Sequence, residues 1–336
     1  MTTRHLVDPE LTAILDQIPA SALTAETLGP TRAQAKLAVA AMLSQASANF
    51  PQFSTISVSE RFVPGPEGAP EVRVLVYQPT SVQGPLPVLL WLHGGGYIMG
   101  SADAEDLLVK GIVSAIGCAA ISVDYRLAPE TPYPGPVEDC YAALKWLATH
   151  ADELAIDPKR IAVGGSSAGG GLAAALALLT RDRGEFSLAF QLLLAPMLDD
   201  RTCTLENPHP YTGEFIWTPE TNRFGWTSLL GQEPGGPDIS PYAAAARAEN
   251  LEGLPAAFIN VGSIDLFMEE DLEYARRLTR AGVPTELHVY PGAYHGFRMV
   301  PTAQVTQTAE RDQLAALKRA FDLSRRSDTP LPTFHS

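Results

Sequence analysis

The segment Arg160-Ile161-Ala162-Val163, followed two residues later by Gly165-Ser166-Ser167-Ala168-Gly169, decides the fold. The first part is a short continuous apolar run, the texture of a strand buried on both faces. The second is a G-x-S-x-G turn, and the Ala/Leu-rich run Leu172 to Leu179 follows it as a helix apolar all round. Strand, sharp turn and buried helix make a nucleophile elbow, in which the glycines leave room for a strained turn that lifts a hydroxyl out at the strand's C-terminal end. A phosphate loop would carry a Lys after its glycines and a dinucleotide fingerprint would read G-x-G-x-x-G; neither pattern is present here.

Outward from the elbow, similar apolar runs recur at Val88–Leu92, Ala119–Val123, Leu188–Leu194, Ala256–Val261 and Leu287–Tyr290. Between them lie amphipathic stretches such as Val137, Cys140, Tyr141, Leu144 and Leu147, and Glu269 to Ala281 with Gly282 as its stop. This alternation predicts an α/β three-layer sandwich on a mostly parallel sheet. Two β-forming runs before it, near Ile56 and at Val72–Tyr77, predict an antiparallel edge across the turn Pro64–Gly68. About sixty residues separate the Leu188–Leu194 and Ala256–Val261 runs, more than one crossover needs. We read roughly 200–236 as an insertion rich in aromatics (Tyr211, Phe215, Trp217, Phe224, Trp226). Its aromatics read first as cap core. The domain reading is therefore an N-terminal helical cap segment over 1–50 and a catalytic domain over 51–336, with the insertion joining the cap. Within 1–50, Asp8-Pro9 starts a helix with Leu11, Ile14, Leu15 and Ile18 on one face, and Thr31 to Ser47 forms a second.

Three further features surround the elbow. His93-Gly94-Gly95-Gly96-Tyr97 follows a strand, and its glycines let backbone N–H groups approach a substrate closely, as an oxyanion hole requires. A serine hydroxyl needs a base and an acid to orient it. Of seven histidines, His5 and His335 lie near the ends, His150 closes a helix, His288 sits within a strand, His209 falls in the insertion, and His93 reads as a loop organiser. His295, just past the last strand, is left as the base. Asp265, just past the Ala256–Val261 strand, falls between nucleophile and base in chain order and reads as the acid. Its neighbours Glu269, Glu270 and Asp271 are explained instead as first-turn acids favoured by the helix dipole.

On these residues, and on Asp124-Tyr125-Arg126-Leu127-Ala128-Pro129-Glu130, the chain resembles the hormone-sensitive-lipase-like (family IV) carboxylesterases of the α/β-hydrolase fold, from about Ile56 to Phe297. The resemblance implies an eight-stranded-type sheet, a helical cap, oxyanion donors at the N–H groups of Gly95, Gly96 and Ala168, and supporting roles for His93, Gly94, Gly165 and Gly169. It implies hydrolysis of short- to medium-chain carboxylic esters through an acyl-enzyme, with no cofactor and no metal. An amidase or peptidase using the same triad, or a ligand-binding member without catalysis, are the alternatives. Two positions depart from the family: Ser166, where Asp or Thr is commoner, and Leu266, where many members carry Pro.

Composition bounds the partners. A net charge of −14 argues against nucleic acid and against docking on an anionic membrane. The expected partner is a small-molecule ester, and the expected assembly a monomer or homodimer. Cys118, Cys140 and Cys203 are too few and too scattered for a disulfide framework. With no signal-peptide core after the polar Met1–Glu10 start, a cytoplasmic location is expected.

Overall fold

Eight strands form a single sheet in the computed structural model, which describes residues 2–17, 23–82 and 84–327. They are β1 (Ile56–Val63), β2 (Val72–Pro79), β3 (Leu86–Leu92), β4 (Ala119–Asp124), β5 (Ile156–Ser166), β6 (Phe190–Leu194), β7 (Ala256–Gly262) and β8 (Thr285–Tyr290). Their order is β1-β2-β4-β3-β5-β6-β7-β8. β2 pairs antiparallel with β1, as the edge reading expected, and also with β4; every other pair is parallel.

The continuous apolar texture of the middle strands follows from burial on both faces. Along β3, Val88, Leu90 and Leu92 join the larger core, while Leu89 and Trp91 join the smaller. The larger core packs under α4 (Gly135–Thr149), α5 (Ala168–Arg183) and α7 (Met268–Arg280). The smaller packs under α3 (Asp106–Ile116) and α8 (Gln304–Ser327) through Val109, Ile112, Val113, Leu317 and Phe321. Two faces covered by helices give three layers.

Several boundaries differ from the sequence reading. β5 begins at Ile156, not Ile161, because Ile156 pairs with Leu86 across a register shift while the polar stretch between them stays partly exposed. At the N-terminus, Pro9–Leu11 forms a 3₁₀ turn and α1 covers only Thr12–Leu15; Ile18, expected on its face, lies outside the described residues, as does His335. Leu11 is buried against Tyr290, Ala293, Tyr294 and Phe297, so this segment is held by docking on the β8 exit rather than by helix length. α2 runs from Ala25 to Asn49, starting before Pro30 rather than after it. Its first turns are anchored by buried Leu28 and by Arg32, which donates to the carbonyls of Ile98 and Ala128 (2.6 Å each) and to Glu130. The 200–236 stretch holds a 3₁₀ turn (Asp200–Thr204) and α6 (Pro219–Leu230) and adds no strand. Among the described residues no helix is long and apolar enough to cross a membrane.

Candidate active site

Parallel strands bring their C-terminal ends to one edge of the sheet, and four of those ends supply the site. β5 ends at Ser166, and Ser167 follows with φ 55° and ψ −120°, a conformation that a non-glycine residue adopts only under strain. The turn is pinned on both sides. Ser167 N–H donates to the Leu194 carbonyl (2.8 Å), and the Ser167 carbonyl accepts from Gly171 (3.0 Å) and Met197 (2.9 Å). α5 starts at Ala168 and is packed so closely on β3 that a Cβ at Gly169 would lie 2.0 Å from the Leu92 carbonyl oxygen. Only glycine permits that approach.

Past β7 and β8, Asp265 and His295 complete a chain of contacts. His295 Nε2 lies 2.9 Å from Ser167 Oγ, and His295 Nδ1 lies 2.9 Å from Asp265 Oδ2. Asp265 is fully buried, and its other oxygen accepts from Phe267 N–H at 3.0 Å. Phe267 also sets its ring edge-on to the imidazole, with centroids 5.0 Å apart. The carboxylate is thus fixed by a backbone donor on one side and turned to the imidazole on the other. Serine, histidine and acid, expected from the elbow motif and from their places past strand ends, are brought together as a relay in which Asp265 can orient His295 and His295 can accept the serine proton.

Past β3, Gly95 and Gly96 have φ of 123° and 61°. A Cβ at Gly96 would lie 2.0 Å from Cη2 of Trp217, so the indole covers this glycine directly. Among the described residues no acceptor is hydrogen-bonded to the backbone N–H of Gly95, Gly96 or Ala168. Three free donors at a strand exit and a helix start suit an anionic oxygen. His93 is buried, stacks on Tyr125 with ring centroids 4.2 Å apart, and donates from Nδ1 to the Gly94 carbonyl at 2.8 Å. Burial pushes its imidazole below the ordinary value. Tyr125 Oη in turn donates to the His93 carbonyl (2.7 Å), and Ala128 N–H to the Tyr97 carbonyl (3.0 Å). The Asp124–Glu130 stretch therefore braces the glycine loop.

The structure adds to two readings of the sequence. Glu270 and Asp271 do lie in the first turn of α7, and both are buried there. Glu270 accepts from the N–H groups of Leu198 (2.6 Å) and Asp199 (3.2 Å) and from the Thr202 hydroxyl, tying α7 to the β6 exit. Among the described residues the Asp271 carboxyl has no hydrogen-bond partner, and burial pushes it well above the usual range. Of the insertion's aromatics, read as cap core, both Trp217 and Trp226 are buried in the larger core. Trp226 is core, with its ring 5.2 Å from that of Tyr97, and Tyr211 is exposed. Trp217 reaches the site, 6.2 Å from the His295 ring by centroids and held by a 3.0 Å bond from Nε1 to Asn222. No motif marks it, because it comes from a segment outside the sheet's register.

Residues 89–299 match the family described by its alpha/beta hydrolase fold, and the chain belongs to it, within the hormone-sensitive-lipase-like carboxylesterases. It is a carboxylic ester hydrolase. Carboxylesterase NlhH of Mycobacterium tuberculosis is 36% identical over 323 residues, covering 94% of this chain and 96% of that protein. Among solved structures, a bacterial heroin esterase superposes with a TM-score of 0.87 at 41% identity, covering 95% of this chain and 99% of its own. Esterase LipW from Mycobacterium marinum does so with a TM-score of 0.83 at 34% identity, covering 95% and 97%.

Proposed function

We propose that this esterase works by two-step acyl transfer with Ser167 as nucleophile, His295 as base and Asp265 as its orienting acid. The reading is carried by the unbroken Asp265–His295–Ser167 contact chain, two 2.9 Å links ending on a strained serine. His295 Nε2 takes the Ser167 proton as Oγ attacks the ester carbonyl, while Asp265 holds the imidazole through Nδ1–H. The carbonyl oxygen gains negative charge and is stabilised by the N–H groups of Gly95, Gly96 and Ala168. His295 returns the proton to the leaving alcohol as the C–O bond breaks, leaving an acyl-serine. Water, deprotonated by His295, then releases the acid and restores Ser167.

The substrates are esters with short to medium acyl chains. Trp217 lies against Gly96 and near His295, so its indole occupies space beside the reacting carbonyl that a long chain would need. Residues 200–236 and the N-terminal segment together act as the cap. They are joined where Thr2 and Thr3 hydroxyls donate to Glu214 (2.6 Å each).

The test pairs labelling with turnover. A fluorophosphonate probe should modify Ser167 stoichiometrically, located by peptide mass spectrometry, and 4-nitrophenyl esters from acetate to palmitate should show kcat/KM falling at the long end. Labelling elsewhere would refute the nucleophile, and a palmitate optimum would refute the chain-length assignment.

A further inference from the structure

Ser166, one of the two positions that depart from the family pattern, points to a residue that neither the motifs nor the triad account for. Its hydroxyl donates to Glu105 Oε1 at 2.6 Å. The same oxygen accepts the Gly94 N–H at 3.0 Å, and Oε2 accepts from Trp91 Nε1 at 2.5 Å. Glu105 closes the 3₁₀ turn Ala102–Glu105 that leads into α3, and that turn is itself held by Asp124, whose Oδ1 accepts from Ala102 N–H at 3.0 Å. One carboxylate therefore receives three donors: one on β3, one in the glycine loop and one in the elbow.

The placement matters because the oxyanion hole is built in two halves. Gly95 and Gly96 come from the β3 exit and Ala168 from the β5 exit. Glu105 grips the first half at Gly94, one residue before Gly95, and the second at Ser166, two residues before Ala168 and next to the nucleophile. The two grips are in contact, since a Cβ on Gly94 would lie 3.0 Å from the Ser166 carbonyl oxygen and 3.1 Å from its Oγ. Three donors on one carboxyl tie the β3 end, the glycine loop and the elbow to a single group. We propose that Glu105 is a positioning residue that sets the spacing between the glycine loop and the nucleophile, and so the fit of the hole to the tetrahedral oxygen. It acts through Gly94 and Ser166 and touches no reacting atom.

The inference rests on the acyl-transfer reading above, and the experiment separates their failures. With 4-nitrophenyl acetate, Glu105→Gln keeps the side-chain length but offers an N–H where a donor now points. We expect kcat to fall by about 10- to 100-fold with KM within about twofold, since loosening the hole affects the transition state more than the ground state. Affinity for a trifluoromethyl ketone, which forms a serine-bound oxyanion, should fall by the same factor. Ser166→Ala removes one grip and should lose less, about 3- to 10-fold, and the double variant should lose less than the product of the two, because both act on one network. A Glu105→Gln enzyme whose kcat and ketone affinity both stay within about twofold of the parent overturns the proposal, as does a kcat loss with ketone affinity unchanged. If Glu105→Gln does not fold, Ser166→Ala decides by the same kcat and ketone readouts. Failure of the parent enzyme to turn over the ester or to be labelled at Ser167 overturns the acyl-transfer reading itself, and this inference with it.

Discussion

The site has two walls of different construction. On the sheet side, Ser167, Gly95, Asp265 and His295 each follow a strand end within a few residues, and the parallel register of β3, β5, β7 and β8 sets where they meet. On the opposite side, Trp217 belongs to a stretch with no strand and is placed by burial, by Asn222 and by contact with Gly96. α6 approaches the same loop through Gly225, where a Cβ would lie 2.8 Å from the Gly96 carbonyl oxygen. Backbone geometry fixes the first wall and side-chain packing the second. Changes on the first wall should therefore abolish rate, whereas changes on the second should redirect it.

The largest effects test the first half of that contrast. Ser167→Ala should lower kcat by about 10⁶-fold and Asp265→Asn by about 10⁴-fold, with KM little changed, in steady-state hydrolysis of 4-nitrophenyl acetate. The Asn variant keeps the shape but presents an amide to His295 Nδ1, favouring the wrong tautomer. An Asp265→Asn enzyme within about tenfold of the parent would mean another acid orients the imidazole. Buried Asp271 is the neighbour to examine then.

The second half is tested at Trp217. Removing the indole in Trp217→Ala should raise the ratio of kcat/KM for octanoate over acetate by about tenfold or more, the scale of a few methylenes in a hydrophobic pocket. The acetate rate should change far less. Equal losses on both esters would show that the indole serves the chemistry and not selection, and the two walls would no longer be distinct.

The same division explains what could be read from the sequence. The elbow, the glycine loop and the acid and base are local patterns, each a few residues long at the end of an apolar run, so Ser167, Asp265 and His295 were legible one by one. Glu105 was not, because its donors lie up to 61 residues away from it in sequence. Trp217 was visible as an aromatic, but nothing in its surroundings specifies what it faces. The first-turn place of Glu270 and Asp271 was legible, but their burial was not, because it comes from α7 lying over the β6 exit. The fold's order was legible for the same reason as the triad, while β5 and α2 began earlier than their apolar patterns because pairing with Leu86 and the anchoring of Leu28 extend them.

The smallest effect concerns stability and sharpens the description of the sheet side. Asp271 is buried without a partner, and burial first, then Glu270 and Asp265, raises its carboxyl well above the ordinary range. A carboxyl whose folded pKa exceeds its unfolded one favours folding most below the unfolded value, about 4, and loses that contribution as pH rises through the folded value. Asp271→Asn has no proton to lose and removes this dependence. Its stability relative to the parent should therefore rise with pH from about pH 4 upward, whatever constant cost the unpaired amide adds. Urea midpoints of both proteins across that range give the slope directly. Parallel curves would show that Asp271 does not change its proton on folding, and that the acidic first turn of α7 bears its burial by some other contact. A rising difference would mean that the sheet side holds, beside Asp265, a second carboxyl kept neutral by its burial.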